Sequence, residues 1–371
     1  MAKVFEPFTL KGVTLRNRVA IPPMCQYMAQ DGVPNDWHLV HYPGMARGGA
    51  GLVIVEATAV SPEGRITPAC TGLWNDDQAE QMAKIAHGIK QAGAVPGIQL
   101  GHAGRKASAN RPWEGDDHLP EDDPRAWPTL SPSALAFGAN LPRVPRKMSK
   151  EDIRRVQDDF VTAVERARDA GFAWLELHFA HGYLAQSFFS VHANTRTDEY
   201  GGGLAGRGRF LRETVEATRK VWPENLPFTA RFGVIEFDGR DEETLQEAIR
   251  LIQDFKSLGL DMVNVSMGFT TPEATIPWGP ALLAPYAERV RREAEIPVAA
   301  AWCIDTPEVI KAVLAKEQMD LVMLGRRHLT NPHYPYELAR KLNEEGPSWK
   351  TLPAPYAHWL AQYAPGGSAQ R

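Results

Sequence analysis

Glu176, His178, His181 and Tyr183 lie within eight residues of one another, and this stretch carries the densest chemistry in the chain. In a straight strand, His178 and His181 would face opposite sides. Both reach one ligand only if the chain turns after His178, which Gly182 allows. Two chemistries follow. With His102 the pair would form a three-imidazole metal site, the centre of a metal-dependent hydrolase, although no carboxylate ligand suggests itself. Alternatively, the two histidines donate hydrogen bonds to a substrate oxygen while Tyr183 supplies a proton.

Arg231 sits in an apolar run between Phe228 and Phe232, where a cation is costly unless an anion meets it. The partner is either Glu176 or Glu56, or a ligand on which negative charge develops. Gly325-Arg326 and Ala301-Trp302-Cys303 end two later apolar runs; the glycine lets backbone approach a phosphate and the arginine offers it a fork. Cys25 stands near Tyr27 with no base assignable to activate it, so it reads as a nucleophile or as inert packing.

These side chains need a scaffold that gathers residues from distant stretches. Strand-length apolar runs recur at 18–24, 51–60, 95–100, 174–179, 227–232, 262–266, 297–302 and 321–325, mostly followed by helical periodicity. Eight such units predict an α/β chain folded as a (β/α)8 TIM barrel, with the site at the C-terminal ends of the strands. Ser149 and Asp152 form a capping box before Ile153, Val156, Phe160 and Val164, and Gly171 marks the stop. Asp241 opens a second apolar stripe that ends at Gly259. Thr306-Pro307 and Asn331-Pro332 read as N-cap followed by proline at the first helical position. Residues 8–15 predict a hairpin capping the N-terminal end of the barrel, and 104–148 form an excursion after the third strand, too long for an ordinary connection. One barrel domain is expected over 1–363, with a flexible tail at 364–371. The one G-x-G-x-x-G, at 201–206, follows a polar stretch rather than a strand, which argues against an open dinucleotide-binding sheet. Trp37, Trp113, Trp278 and Trp302 read as core or loop anchors.

Composition narrows the partners. The 371 residues are 43% hydrophobic and 23% charged, an ordinary globular balance. With 41 basic and 45 acidic residues and no long single-sign run, neither nucleic acid nor an anionic membrane is an expected partner. Three cysteines at unrelated spacings fit a reducing compartment, and the first residues lack a signal peptide's apolar stretch, so a cytoplasmic protein is expected.

Five segments resemble the Old Yellow Enzyme family of flavin-dependent ene-reductases: Pro22-Pro23-Met24-Cys25-Gln26-Tyr27, Val55-Glu56-Ala57-Thr58-Ala59-Val60, Gln99-Leu100-Gly101-His102-Ala103-Gly104-Arg105, Glu176-Leu177-His178-Phe179-Ala180-His181-Gly182-Tyr183-Leu184 and Asp198-Glu199-Tyr200-Gly201-Gly202. Cys25 and the Ala-Gly-Arg-Lys run at 103–106 point to its bacterial branch, which includes the xenobiotic reductases. The likeness runs from about residue 5 to residue 359.

The resemblance implies non-covalent FMN at the barrel mouth, reduced by NADPH or NADH and reoxidised by activated alkenes bearing a carbonyl or nitro group. Pro22, Pro23, Met24 and Cys25 would line the flavin, with the Cys25 sulfur tuning it. Ala57 and Gln99 would meet its pyrimidine edge, and Arg231 the side where the reduced ring gathers charge. Ala301, Trp302, Cys303, Gly325 and Arg326 would hold the phosphate. His178 and His181 would bind the substrate oxygen, and Tyr183 would protonate the α carbon. Tyr27 and Trp302 would shape the pocket. A homodimer or dimer of dimers is implied, with Trp359 near the neighbouring site. Cys303 departs from the family's usual glycine, and 203–206 from its usual Ser-x-x-Asn. A non-catalytic flavin-binding protein is the remaining alternative.

Overall fold

The computed structural model describes residues 2–363; the tail at 364–371 lies outside the described residues. The chain opens with a hairpin of β1 (Phe8–Leu10) and β2 (Val13–Leu15). Then β3 (Val19–Ile21), α1 (Asp36–Arg47), β4 (Leu52–Ala59), α2 (Asp76–Gln91) and β5 (Val95–Gly101) begin the barrel. The excursion follows, carrying a short parallel pair, β6 (Leu130–Ser131) and β7 (Arg146–Lys147). The barrel resumes through α3 (Lys150–Asp169), β8 (Trp174–Phe179), α4 (Leu184–Phe189), α5 (Leu204–Arg207), α6 (Arg209–Arg219), β9 (Phe228–Ile235), α7 (Asp241–Ser257), β10 (Met262–Met267), α8 (Ala284–Glu293), β11 (Val298–Ala300), α9 (Pro307–Ala315), β12 (Leu321–Met323) and α10 (Gly325–Thr330). Helices α11 (Tyr334–Lys341), α12 (Pro347–Thr351) and α13 (Ala354–Leu360) complete the described chain.

Strands β3, β4, β5, β8, β9, β10, β11 and β12 close, all parallel, into the expected TIM barrel. The closing pair is β12 with β3, in register at Val322 and Val19. Burial on both faces explains why these strands read as continuous apolar runs. The hairpin sits where expected: Phe8, Val13 and Leu15 pack against Ala20, Leu52, Trp174, Met262, Ala299 and Leu321 inside the barrel. Leu15 is fully buried there, which stabilises by about 2 kcal/mol.

The helix signals hold with one exception. Ser149 Oγ accepts from Asp152 N at 3.1 Å while Asp152 Oδ2 accepts from Ser149 N at 2.8 Å. Below that box, Ile153, Val156, Phe160, Ala163, Val164 and Ala167 bury one face of α3. Thr306 caps α9 through Val309 N. Asn331, however, does not start a helix at Pro332: its side chain accepts from His333 N at 2.9 Å, closing a turn, and α11 begins at Tyr334 with Pro335 in its first turn. Three strands are also shorter than expected. Pairing of β3 stops at Ile21 because Pro22 and Pro23 offer no N–H. After β11 the backbone turns left-handed at Trp302 (φ +70°) and Cys303 (φ +57°), and after β12 the chain enters α10 at Gly325.

Two irregularities re-aim side chains. The β4–β5 register skips Glu56, and the β9–β10 register skips Val234. The excursion is tied down by arginines whose forks take backbone carbonyls: Arg105 holds Leu135 and Ala136, Arg143 holds Trp127, and Arg196 holds Pro132 and Met148. Among the described residues, no helix is long and apolar enough to cross a membrane.

Candidate active site

At the C-terminal end of β8 the chain makes the turn that the histidine spacing requires. His181 (φ +62°) and Gly182 (φ +70°) are both left-handed. His181 N bonds Met267 O at 3.2 Å, and the imidazoles of His178 and His181 then meet edge to face with centroids 5.0 Å apart. The Tyr183 ring lies 5.0 Å from His178 and 6.3 Å from His181. His178 Nδ1 accepts from Ala180 N at 3.3 Å, which puts its proton on Nε2. His181 Nε2 pairs with Ser266 Oγ at 2.8 Å.

Burial, reinforced by the Arg231 guanidinium, holds both imidazoles well below the usual histidine range, so both are neutral at physiological pH. Burial also lifts the Tyr183 phenol well above its usual value, so it keeps its proton. Lys106 secures the turn: its Nζ donates to His181 O at 2.9 Å and Phe269 O at 2.7 Å, and lies 4.1 Å from the Phe137 ring centre. Burial draws its pKa down to about 7.

Arg231, on β9 opposite His178, is buried with Nε lacking any partner. Neither expected carboxylate pairs with it. Glu176 accepts from Gln99 Nε2 at 2.7 Å and Asn264 Nδ2 at 3.0 Å and influences Arg231 only through its field. Glu56 faces α1, where Tyr42 bonds it. An orphaned, buried guanidinium is the mark of a ligand-facing cation.

Beside it opens a cavity of about 530 Å³, lined by Pro22, Pro23, Met24, His181, Arg231, Ala301, Trp302, Cys303, Gly325 and Arg326, all expected from the sequence, together with Ile304, Asp305, Met323, Leu324, Arg327 and Thr330. Gly325 keeps this wall thin: a Cβ there would come within 3.1 Å of Met24 Sδ and 3.3 Å of Pro22 Cγ. A mouth of this size, with a free guanidinium at one end and arginines at the other, fits a flat, phosphorylated cofactor such as FMN. His178, Tyr183, Ala57 and His102 border a second, small cavity of about 10 Å³.

The remaining expectations divide. Cys25 and Tyr27 lie together on the loop after β3, thiol beside phenol, and burial raises both pKa values; Cys25 is therefore a protonated thiol without an activating base. Trp302 meets His181 at 6.3 Å and Trp278 at 5.5 Å between ring centres. Trp113 stands edge-on to Tyr27 at 5.8 Å, which brings the excursion against the loop after β3. Trp37, Trp113 and Trp278 are exposed rather than core residues, so their aromatic area rims the protein surface. Trp359 is not brought to the cavity; it is 74% exposed on α13.

The metal site is not formed. His102 Nδ1 accepts from Gly104 N at 3.0 Å, and no group of three His, Cys, Asp or Glu among the described residues is placed to hold a metal ion. Sequence reading missed Ser266 and Lys106. Ser266 ends the sixth apolar run and Lys106 ends the Ala-Gly-Arg-Lys run at 103–106, positions at strand exits that are the signal by which both can be found.

The chain matches the family described as "NADH:flavin oxidoreductase / NADH oxidase family" over residues 3–345. A curated NADPH dehydrogenase of Geobacillus thermodenitrificans is 39% identical over 341 residues, covering 91% of this chain and 94% of that protein. Morphinone reductase, solved in complex with tetrahydroNAD, superposes with a TM-score of 0.77 at 26% identity, covering 96% of this chain and 97% of that one. An old yellow enzyme homologue from Zymomonas mobilis shares the fold, with a TM-score of 0.77 at 24% identity and coverage of 96% and 98%. A closed parallel barrel with a flavin-sized mouth, and relatives aligned along almost its whole length, lead to one conclusion: the chain belongs to the NADH:flavin oxidoreductase family of Old Yellow Enzymes and is an FMN-containing, NAD(P)H-dependent oxidoreductase.

Proposed function

We propose that this oxidoreductase reduces the activated C=C bond of α,β-unsaturated carbonyl or nitro compounds. The observation that carries the reading is the convergence of two neutral imidazoles and a protonated phenol, with ring centres 5.0 to 6.3 Å apart, next to the cofactor-sized cavity. Neutral donors suit a substrate oxygen that becomes more negative as the alkene is reduced, because they strengthen toward the developing charge without fixing an ion beforehand.

The chemistry bound FMN supplies is hydride transfer, from NAD(P)H and then to the β carbon of the alkene. His178, through the proton its Nδ1 contact places on Nε2, donates to the substrate oxygen together with His181, drawing electrons from the alkene. Tyr183 holds the proton that the α carbon receives. Arg231 would supply a fixed positive charge to bound FMN, which accounts for its free Nε. Arg326 and the 301–303 backbone would hold the phosphate, with Gly325 allowing close approach. Pro22, Pro23, Met24 and Cys25 would line the ring, and Ala57 and Gln99 would offer it polar groups. Tyr27 and Trp302 set the width of the substrate space, and Trp113 helps keep water out. The catalytic unit is a homodimer or dimer of dimers in which exposed Trp359 reaches a neighbouring mouth.

The test is the visible spectrum of the purified protein, recorded before and after anaerobic NADPH and again after 2-cyclohexenone. Flavin absorbance bleached by NADPH and restored by the enone is the expected result. Flavin that bleaches but is restored by oxygen alone overturns the alkene assignment.

A further inference from the structure

Glu56 is fully buried on the outer side of β4, at the position where the β4–β5 register slips. That slip turns its carboxylate away from the barrel mouth and toward α1. There it collects two donors and no cation: Tyr42 O–H reaches Oε1 at 2.9 Å and Gln26 N reaches Oε2 at 2.9 Å, while His38 Nε2 lies 3.5 Å from Oε1 without bonding it. His38 Nδ1 accepts from Asn35 N at 3.1 Å, so its Nε2 carries the proton that faces Glu56.

Gln26 lies between Cys25 and Tyr27. Its N–H bond to Glu56 is one of three that Gln26 makes; its side chain also donates to Met24 O at 2.7 Å and accepts from Trp37 Nε1 at 3.2 Å. With Gln26 pulled outward, Cys25 and left-handed Tyr27 (φ +54°) are presented on the other side, where their charges would be felt by Tyr183. We propose that Glu56 is a positioning residue, whose carboxylate draws the Gln26 N–H outward and thereby fixes the Cys25 thiol and Tyr27 phenol at the mouth. The assignment of those two residues to the mouth rests on the function proposed above.

The link carries a pH dependence. A proton on Oε2 would set a donor against the Gln26 donor, and the loop would be released. Burial lifts the Glu56 pKa to about 7, within the working range. The titratable groups facing it are His38 and Tyr42 from α1, with His41 behind His38, and Cys25, Tyr27 and Cys70 from the loops; burial keeps His38 and His41 neutral with pKa values of about 4, and holds the thiols and phenols protonated. Of Glu56 and the groups packed against it, Glu56 alone therefore changes charge near neutrality.

The experiment measures the rate at which Cys25 of the purified protein reacts with 4,4′-dithiodipyridine, a reagent that works in acid, with the labelled cysteine located by peptide mass. Glu56→Gln keeps an acceptor for Gln26 but cannot titrate; Glu56→Ala removes the acceptor. From about pH 8.5 to about pH 5.5 the wild-type rate, divided by that of Glu56→Gln, should rise about fivefold, the population change one net hydrogen bond supports. Glu56→Ala should label fast at both ends. A wild-type to Glu56→Gln ratio that is flat with pH overturns the inference whether or not the alanine variant folds. Labelling needs no turnover, so a failure of enone reduction leaves this result standing and strikes only the functional reading.

Discussion

Replacing Gly182 with alanine tests whether the turn itself assembles the site. Gly182 has φ +70°, and a Cβ there would lie 2.2 Å from Phe269 O and 2.8 Å from Lys106 Nζ. The left-handed backbone alone costs an alanine about 1 kcal/mol. The steric conflict is the larger problem. To restore ordinary contact the Phe269 carbonyl must retreat by roughly 1 Å, yet Lys106 holds that carbonyl at 2.7 Å and His181 O at 2.9 Å, so the strain spreads to the histidine turn. Overpacking of this kind adds about 1–3 kcal/mol, for a total of about 2–4 kcal/mol and a melting temperature lower by several degrees. Under the proposed alkene reduction, a displacement of about 1 Å at His181 and Tyr183 should slow enone-driven reoxidation about 100-fold. The cradle at 301–303 and 325–326 is built from other strands, so flavin content should be unchanged. Thermal melting and stopped-flow reoxidation read both effects. Wild-type melting with wild-type reoxidation would refute the argument that this turn has no room for a methyl group.

Other substitutions probe separate parts. Tyr183→Phe should leave flavin reduction by NADPH near wild type and slow enone reduction by about 100-fold or more, seen as a loss confined to the second half-reaction; equal rates in both halves would remove the phenol from proton transfer. Cys303→Gly, relieving a side chain held at φ +57°, should raise stability by about 1 kcal/mol and tighten FMN retention, measured by melting and by flavin release on dilution. Glu56 gives a stability signature of its own. Because its folded pKa is raised from 4.5 to about 7, the stability it contributes is fully present below pH 4.5 and lost as pH rises through 7. Glu56→Gln lacks that loss, so its advantage over wild type in urea melts should grow between about pH 5 and about pH 8, toward on the order of 3 kcal/mol.

The barrel was legible because each strand is apolar on both faces and is punctuated by glycine, proline or a capping residue; the box at Ser149 and Asp152 could be read without any tertiary information. The strand ends were less so. Apolar character continues through Trp302 and into Leu324-Gly325, whereas pairing stops where the backbone turns left-handed or enters a helix, a change that hydrophobicity does not encode. Asn331-Pro332 carries a genuine cap signal that the chain spends on a turn. The histidine pair was anticipated with its condition, a turn after His178, but its support was not: Lys106 and Ser266 come from β5's exit and β10, and only closure of the barrel brings them there. The same holds for the orphaned Arg231 Nε, since local sequence offered it Glu176 and the fold gave Glu176 to Gln99 and Asn264. The slip at Glu56 depends on register with a neighbouring strand and leaves no trace in its own.

The arginine ties on the excursion bear on how such an enzyme changes over generations. Arg105, Arg143 and Arg196 grip main-chain carbonyls, at Leu135, Ala136, Trp127, Pro132 and Met148, while Arg143 also reaches Ser108 Oγ and Arg196 pairs with Asp198. A carbonyl survives any substitution of the residue that bears it. The side chains along this stretch can therefore drift while three anchors preserve its path beside the loop after β3. Selection for a new substrate can then act on the residues around Trp113, with little risk to the barrel beneath them.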